Sequence, residues 1–178
     1  HRPFIFLDSK VVPDAMIYVI ASDDALILAI LSSSIHKTWC KYAGGTLQDR
    51  PRYNSDRTFL PFPFPDTPNA PVAFDLRDNA EKLDTLRKEV LANNPDLTIT
   101  KLYNVLEAVR VAENGGSTIT QDDREIAVRG CISLIRKYHD AIDAGVAEAY
   151  GWPADLSDED ILTRLVALSK IRAAEEAK

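Results

Sequence analysis

Hydrophobic positions change period along this chain. Near the start, Phe4-Ile5-Phe6-Leu7 and Ile17-Tyr18-Val19-Ile20-Ala21 are short aromatic and β-branched runs. A turn-like Asp8-Ser9-Lys10 and the segment Val11-Val12-Pro13 separate them, and the pattern predicts two short strands. The period then becomes helical. Leu28, Leu31, Ile35, Trp39 and Tyr42 recur on one face, behind a Ser22 or Asp23 cap, and Gly44-Gly45 stop the run. A polar loop, Thr46 to Thr58, leads to a connector carrying Pro61, Pro63, Pro65, Pro68 and Pro71, which forbid a helix and favour extended backbone.

Beyond the prolines the pattern is helical throughout. A charged, periodic helix is predicted over Asp75 to Leu91, ended by Asn93-Asn94-Pro95. Thr100 is a candidate cap for a short helix with Leu102, Val105, Leu106 and Val109 on one face. After the turn Asn114-Gly115-Gly116-Ser117, Thr120 with Asp123 three residues on opens a long helix to about Tyr150. Its stripe is Ile126, Leu134, Ile135, Tyr138, Ile142 and Val146. Gly151-Trp152-Pro153 end it. Ser157 starts a last helix, whose acidic first turn, Asp158-Glu159-Asp160, suits the positive end of the helix dipole. The expected fold class is α+β, mostly α. Residues 1–68 hold short strands and a helix, and residues 69–178 form a helical domain of about four helices.

The 178 residues allow one domain or two small ones, and 46% hydrophobic content suffices for a packed core. The net charge of −6 argues against a protein that coats nucleic acid non-specifically. Its distribution is uneven: the part before the junction carries seven basic and seven acidic side chains, so all the acidic excess lies in the second part. The longest clean apolar run, Ala25 to Leu31, is far short of the roughly 20 residues that span a bilayer, so no membrane partner is expected. Cys40 and Cys131 stand apart, in no metal-like spacing, and read as free thiols of a reducing cytoplasm. The chain starts on His1 rather than Met and ends without a C-cap signal, which predicts a larger parent protein.

An active centre needs a nucleophile, a base or a metal. The chain has no Gly-rich phosphate loop, no nucleophile elbow and no HExxH motif. Asp122-Asp123 and Asp158-Glu159-Asp160 sit in first helical turns, where capping is the favoured role. His36 and His139 are solitary. No catalytic residue, cofactor-binding residue or metal ligand is expected in this chain.

One loop differs. Gln48, Asp49, Arg50, Arg52, Tyr53, Asn54 and Arg57 fall within ten residues. Arg suits guanine, Asn and Gln suit adenine, and Asp can accept from cytosine. Local basicity can also hold phosphates while the chain as a whole stays acidic. Lys37 and Lys41, one turn apart on the preceding helix, extend the patch. Composition alone favours a solvated polar loop.

The flanking motifs change that balance. Gly44, then Arg52-Tyr53-Asn54, then Pro61-Phe62-Pro63-Phe64-Pro65 resemble the end of the target-recognition domain in large single-chain Type II restriction–modification enzymes (IIG/IIL-like) and their methyltransferase-only relatives. In those proteins a glycine-containing loop, an R-Y pair and an F-P-F-P or F-P-W-P run follow one another. The upstream "HRPFIFLD" and "DDALILAILSSSIHKTW" resemble the strand, turn and helix before that loop. The downstream "KLYNVLE" and "HDAIDAGVAEAYGWPADLSDEDILTRLVAL" resemble the helical C-terminal domain. The resemblance implies an S-adenosylmethionine-dependent, adenine-N6 DNA methyltransferase, in some members also a nuclease. It implies that the family's R-Y pair is Arg52 and Tyr53. The family's N-P-P motif is missing, since Asn94-Pro95 is followed by Asp96, and so is its Gly-rich cofactor loop. Catalysis and S-adenosylmethionine are therefore expected in an upstream methyltransferase domain of the parent, and double-stranded DNA is the expected partner. The alternative reading is a non-enzymatic helical interaction module; a small stand-alone enzyme is disfavoured by the missing chemistry.

Overall fold

A computed structural model describes residues 3–14, 17–44, 46–47, 50–51, 53–66 and 70–176. Among these the architecture is helical, which overturns the expected α+β class. The two expected strands are extended segments that join no ladder. The alternation at Phe4–Leu7 is nevertheless physical: Phe4 and Phe6 pack on the core, while Ile5 and Leu7 face solvent. Alternation orients side chains, but a strand also needs a neighbour for its backbone donors and acceptors. Strand pairing among the described residues is confined to β1 (Thr46–Leu47) and β2 (Arg50–Pro51), antiparallel and two residues long each, too short to form a sheet.

The first expected helix is two. α1 (Ala25–Ser32) is apolar all round, with six of its eight residues buried, as suits a helix enclosed on every side. Its cap is Asp24, whose carboxylate accepts from the Leu26 amide at 2.9 Å. Ser33 then leaves helical geometry, with ψ 159°, and its hydroxyl both donates to the Ile30 carbonyl and caps α2 (Ser34–Ala43) at His36. Serine competes for backbone groups in this way, and apolar spacing that stays in phase across the break hides it from the pattern.

A π-helical turn, Ser55–Phe59, lies within the expected polar loop. α3 (Pro71–Asn93) starts on Pro71 at its first turn, where the missing N–H costs nothing. α4 (Ile99–Glu113) is capped by Thr98 rather than Thr100. The expected long helix divides into α5 (Gln121–Arg129), which has the Thr120–Asp123 capping box, and α6 (Ile132–Ala149). The break needs Gly130 and Cys131. A Cβ at Gly130 would lie 2.6 Å from the Leu102 side chain and 2.7 Å from the Ile126 carbonyl oxygen, and Cys131 takes a left-handed φ of 50°. α7 (Asp158–Glu176) is capped by the Ser157 hydroxyl.

α3 and α6 form the spine. Gly145 lets α6 approach Leu76 of α3 closely. The deepest layer holds Leu76, Leu83, Leu102, Ile135, Ile142 and Leu165, each worth about 1.5–3 kcal/mol on burial. α1 lies on α3 and α6, α2 lies on α6 and α7, and their apolar residues enter the same core.

Polar ties join residues before the prolines to the helices after them. Arg77 of α3 grips the Asp24 carboxylate through Nε (2.8 Å) and NH2 (3.0 Å). The Ser34 amide donates to Asp143 of α6 at 2.6 Å. The Thr38 hydroxyl donates to Asp158 at 2.9 Å. The Tyr150 and Ser169 hydroxyls donate to the Pro63 and Pro61 carbonyls at 2.9 and 3.2 Å.

Candidate nucleic-acid interface

α2 and the turn after it set the geometry of the candidate site. The buried face of α2 carries Ile35, His36, Thr38 and Trp39, so Lys37 and Lys41 fall on its exposed face. Lys41 pairs with Asp158 at 3.2 Å, and both side chains are more than half exposed. Such a pair is worth under about 1 kcal/mol and exchanges readily for a phosphate. Burial opposes ionisation of Asp158, but the Thr38 hydroxyl and Lys41 outweigh it and hold the carboxyl below its usual range.

The remaining candidates divide sharply. Gln48, Asp49 and Arg52 lie outside the described residues. Arg50 is placed by its backbone in β2. Arg57 is exposed in the π-helical turn. Asn54 caps that turn, its side chain accepting from the Asp56 amide at 2.9 Å. Tyr53 turns inward, with its ring edge-on to Phe4, Tyr18 and His36 at centroid distances of 5.5–5.9 Å. Its hydroxyl is buried without a hydrogen-bond partner among the described residues, and burial raises its pKa. The neighbouring Thr58 hydroxyl gives its proton to the Asn54 carbonyl instead.

Residues outside the expected DNA-binding set hold this segment. Trp39 Nε1–H donates to the Thr58 carbonyl at 3.0 Å. Phe62, 3% exposed, lies edge-on to His36 and Trp39. His36 is also buried, with Nδ1 2.9 Å from the Leu31 carbonyl. Desolvation lowers its pKa to about 4, so the ring is neutral at pH 7 and adds no charge to the interface. Phe59, Phe62 and Phe64 stack edge to face in the anchoring role expected of hydrophobic packing.

A groove of about 810 Å³ adjoins the site, lined by Phe4, Ile5, Leu7, Tyr18 and Tyr53 among others. Among the described residues no group of His, Cys, Asp and Glu side chains is placed to hold a metal ion, and no helix is long and apolar enough to cross a membrane.

Residues 1–66 match the family model of the MmeI target recognition domain. The matched stretch contains α1, α2, the β1–β2 pair and the π-helical turn, and it ends inside the proline run. It supports a Type II restriction–modification recognition domain, and with it DNA as what this segment addresses. Neither the curated proteins nor the solved structures contain a match to the chain.

Within the matched residues 1–66, the exposed cations Lys37, Lys41 and Arg57 have the chemistry of phosphate contacts. On either side of residues 45–57 the backbone is tied to α2: Gly44 closes its last turn by donating to the Cys40 carbonyl at 3.0 Å, and the Thr58 carbonyl accepts from Trp39.

Proposed function

We propose that the chain is the DNA target-recognition end, with its supporting helical body, of an S-adenosylmethionine-dependent adenine-N6 DNA methyltransferase in a Type II restriction–modification system. In this reading residues 1–68 complete the recognition domain and residues 69–178 form the helical C-terminal domain. Gln48, Asp49, Arg50 and Arg52 read bases, Asn54 caps the turn beside them, and Lys37, Lys41 and Arg57 hold phosphates. The match of residues 1–66 carries the proposal. Its geometric support is the set of polar ties that pin α1, α2 and the proline run to α3, α6 and α7, since base reading needs polar side chains on a rigid mount.

The catalytic step belongs to an upstream methyltransferase domain of the parent. This chain has neither the Gly-rich strand–loop–helix that would cradle S-adenosylmethionine nor an N-P-P motif to receive a flipped adenine, so its residues do not fit the cofactor. The exposed apolar side chains Ile5, Leu7, Ile17, Tyr18 and Val19 favour packing against such a domain. The proposed setting is the cytoplasm, where Cys40 and Cys131 stay reduced.

The test is site-specific methylation by the full-length protein with Arg52→Ala or Arg57→Ala. Arg52→Ala is expected to cost about 1–3 kcal/mol of discrimination, roughly 5- to 150-fold, at one base position. Arg57→Ala is expected to weaken binding evenly across sequences and flatten its salt dependence. Unchanged specificity and rate in both variants at moderate salt would refute the reading.

A further inference from the structure

We infer that Trp39, Asn54 and Thr58 form a latch that sets where the base-reading span leaves the helical body. On this inference Thr58 and Trp39 are positioning residues for sequence recognition. The inference rests on the recognition reading of residues 1–66 and adds the device that aims it.

The geometry closes on itself. Thr58 is fully buried. Its hydroxyl accepts from the Asn54 amide at 3.1 Å and donates to the Asn54 carbonyl, which also accepts from the Thr58 amide at 2.7 Å and the Arg57 amide at 3.2 Å. The Asn54 side chain in turn caps the π-helical turn at Asp56, and the turn closes with the Leu60 amide donating to the Ser55 carbonyl at 2.9 Å. The remaining polar group of Thr58, its carbonyl, accepts from the Trp39 indole. Trp39 lies in the middle of α2, five residues before Gly44, where the span begins. One helix therefore fixes both ends of the segment that reads DNA.

This arrangement is costly unless it is needed. A π-helical turn is rare; here Asp56 and Arg57 face outward, and Thr58, the buried residue of the turn, is held by polar contacts. A plain solvated connector would need none of them. The contacts fix Asn54, the residue from which the base-reading span runs, and fork-to-base pairing tolerates little displacement of its mount. Phosphate contacts from Lys37 and Lys41 do not pass through the latch, because they stand on α2 itself.

The experiment uses the full-length protein and the duplex it selects from a random library, set against duplexes with one base pair changed. Thr58→Val keeps the shape and removes the hydroxyl, leaving the Asn54 amide without its acceptor while the Asn54 carbonyl keeps the Thr58 and Arg57 amides. It is expected to reduce discrimination between these duplexes at least tenfold. The salt slope of binding is expected to fall by no more than the single contact of Arg57, which lies in the turn, because Lys37 and Lys41 stand on α2. Thr58→Ser, which retains the hydroxyl, is expected to restore discrimination, and Trp39→Phe, which keeps an aromatic ring without the N–H, to lose part of it. Far-ultraviolet circular dichroism and amide exchange in α3 and α6 show whether each variant keeps the helical body. Wild-type discrimination in Thr58→Val would overturn the latch and leave the recognition reading standing. A parallel loss of discrimination and salt-dependent affinity in Thr58→Val and Thr58→Ser alike would also overturn it, by showing a general structural role. A wild-type protein that selects no sequence removes the recognition reading and the latch together.

Discussion

Replacing Arg87 with Ala is expected to destabilise the protein by about 3–5 kcal/mol, a large share of the roughly 5–15 kcal/mol that holds a domain folded. The Arg87 side chain is 2% exposed and its guanidinium serves three elements at once. NH1 donates to the Tyr103 hydroxyl of α4 at 2.9 Å. NH2 donates to the Phe4 carbonyl at 2.8 Å and to Asp84 at 3.3 Å. Tyr103, having accepted from arginine, passes its proton to His139 Nε2 at 2.8 Å. Truncation leaves the buried Asp84 carboxylate with only the exposed Lys88 and leaves the Phe4 carbonyl without its buried donor. Removing one partner of a buried pair is the costly change; removing both is mild. The double variant Arg87→Met, Asp84→Leu is therefore expected to recover most of the loss. Urea denaturation measures both. A loss below 1 kcal/mol in Arg87→Ala would contradict this account of the junction between α3, α4 and the N-terminal segment.

The second large effect is acid sensitivity above the carboxylate range. Desolvation lowers the pKa of both buried histidines to about 4, and Arg87 and Arg110 add to the effect at His139. The unfolded chain takes up these protons near 6.5. Stability is therefore complete above pH 6.5 and falls as pH drops toward 4. Nearly two protons are taken up on unfolding in that window, so the slope is on the order of 2 kcal/mol per pH unit near pH 5, and the loss at pH 4.5 is on the order of 5 kcal/mol. Asp24 and Asp158, whose pKa values are lowered, stabilise the fold above the ordinary carboxylate value and lose that contribution only below it. Asp143 acts in the opposite sense: burial raises its pKa, so its protonation relieves a cost as pH falls. Urea midpoints that stay flat from pH 7 to 4.5 would show that the two histidines are not buried neutral.

Helix positions were legible in the sequence because apolar residues at helical spacing must find a core. Ile126, Ile135, Ile142 and Val146 are buried where the stripe predicted, and the Thr120 and Ser157 caps form as read. Leu134 of the same stripe is exposed, because α6 turns the adjacent Ile135 to the core and Leu134 lies at the edge of that face. Backbone breaks at Ser33 and Cys131 do not interrupt the spacing enough to be seen. The extended segments were mistaken for strands because alternation reports which face is buried and says nothing about a ladder partner. His139 reads as solitary because its partner is distant in sequence, Tyr103 being 36 positions away, and His36 because its ring meets a backbone carbonyl, that of Leu31. At the candidate site, composition marks Lys37, Lys41, Asn54 and Arg57 as polar candidates but does not distinguish a tyrosine that reads DNA from one that packs. Tyr53 packs, on aromatic rings from Phe4 to His36. Nor does composition reveal Thr58, whose importance comes from being buried beside two backbone groups.

The central claim is that residues 1–66 carry sequence recognition and that the helices after the proline run hold them in place. Selection of bound duplexes from a random library tests it most directly, comparing the full-length protein with a variant in which residues 46–52 are replaced by Gly and Ser at equal length. The account predicts that the wild-type protein enriches one defined sequence, and that the variant binds DNA with a similar salt dependence but enriches none. Enrichment of the same sequence by both proteins would contradict it.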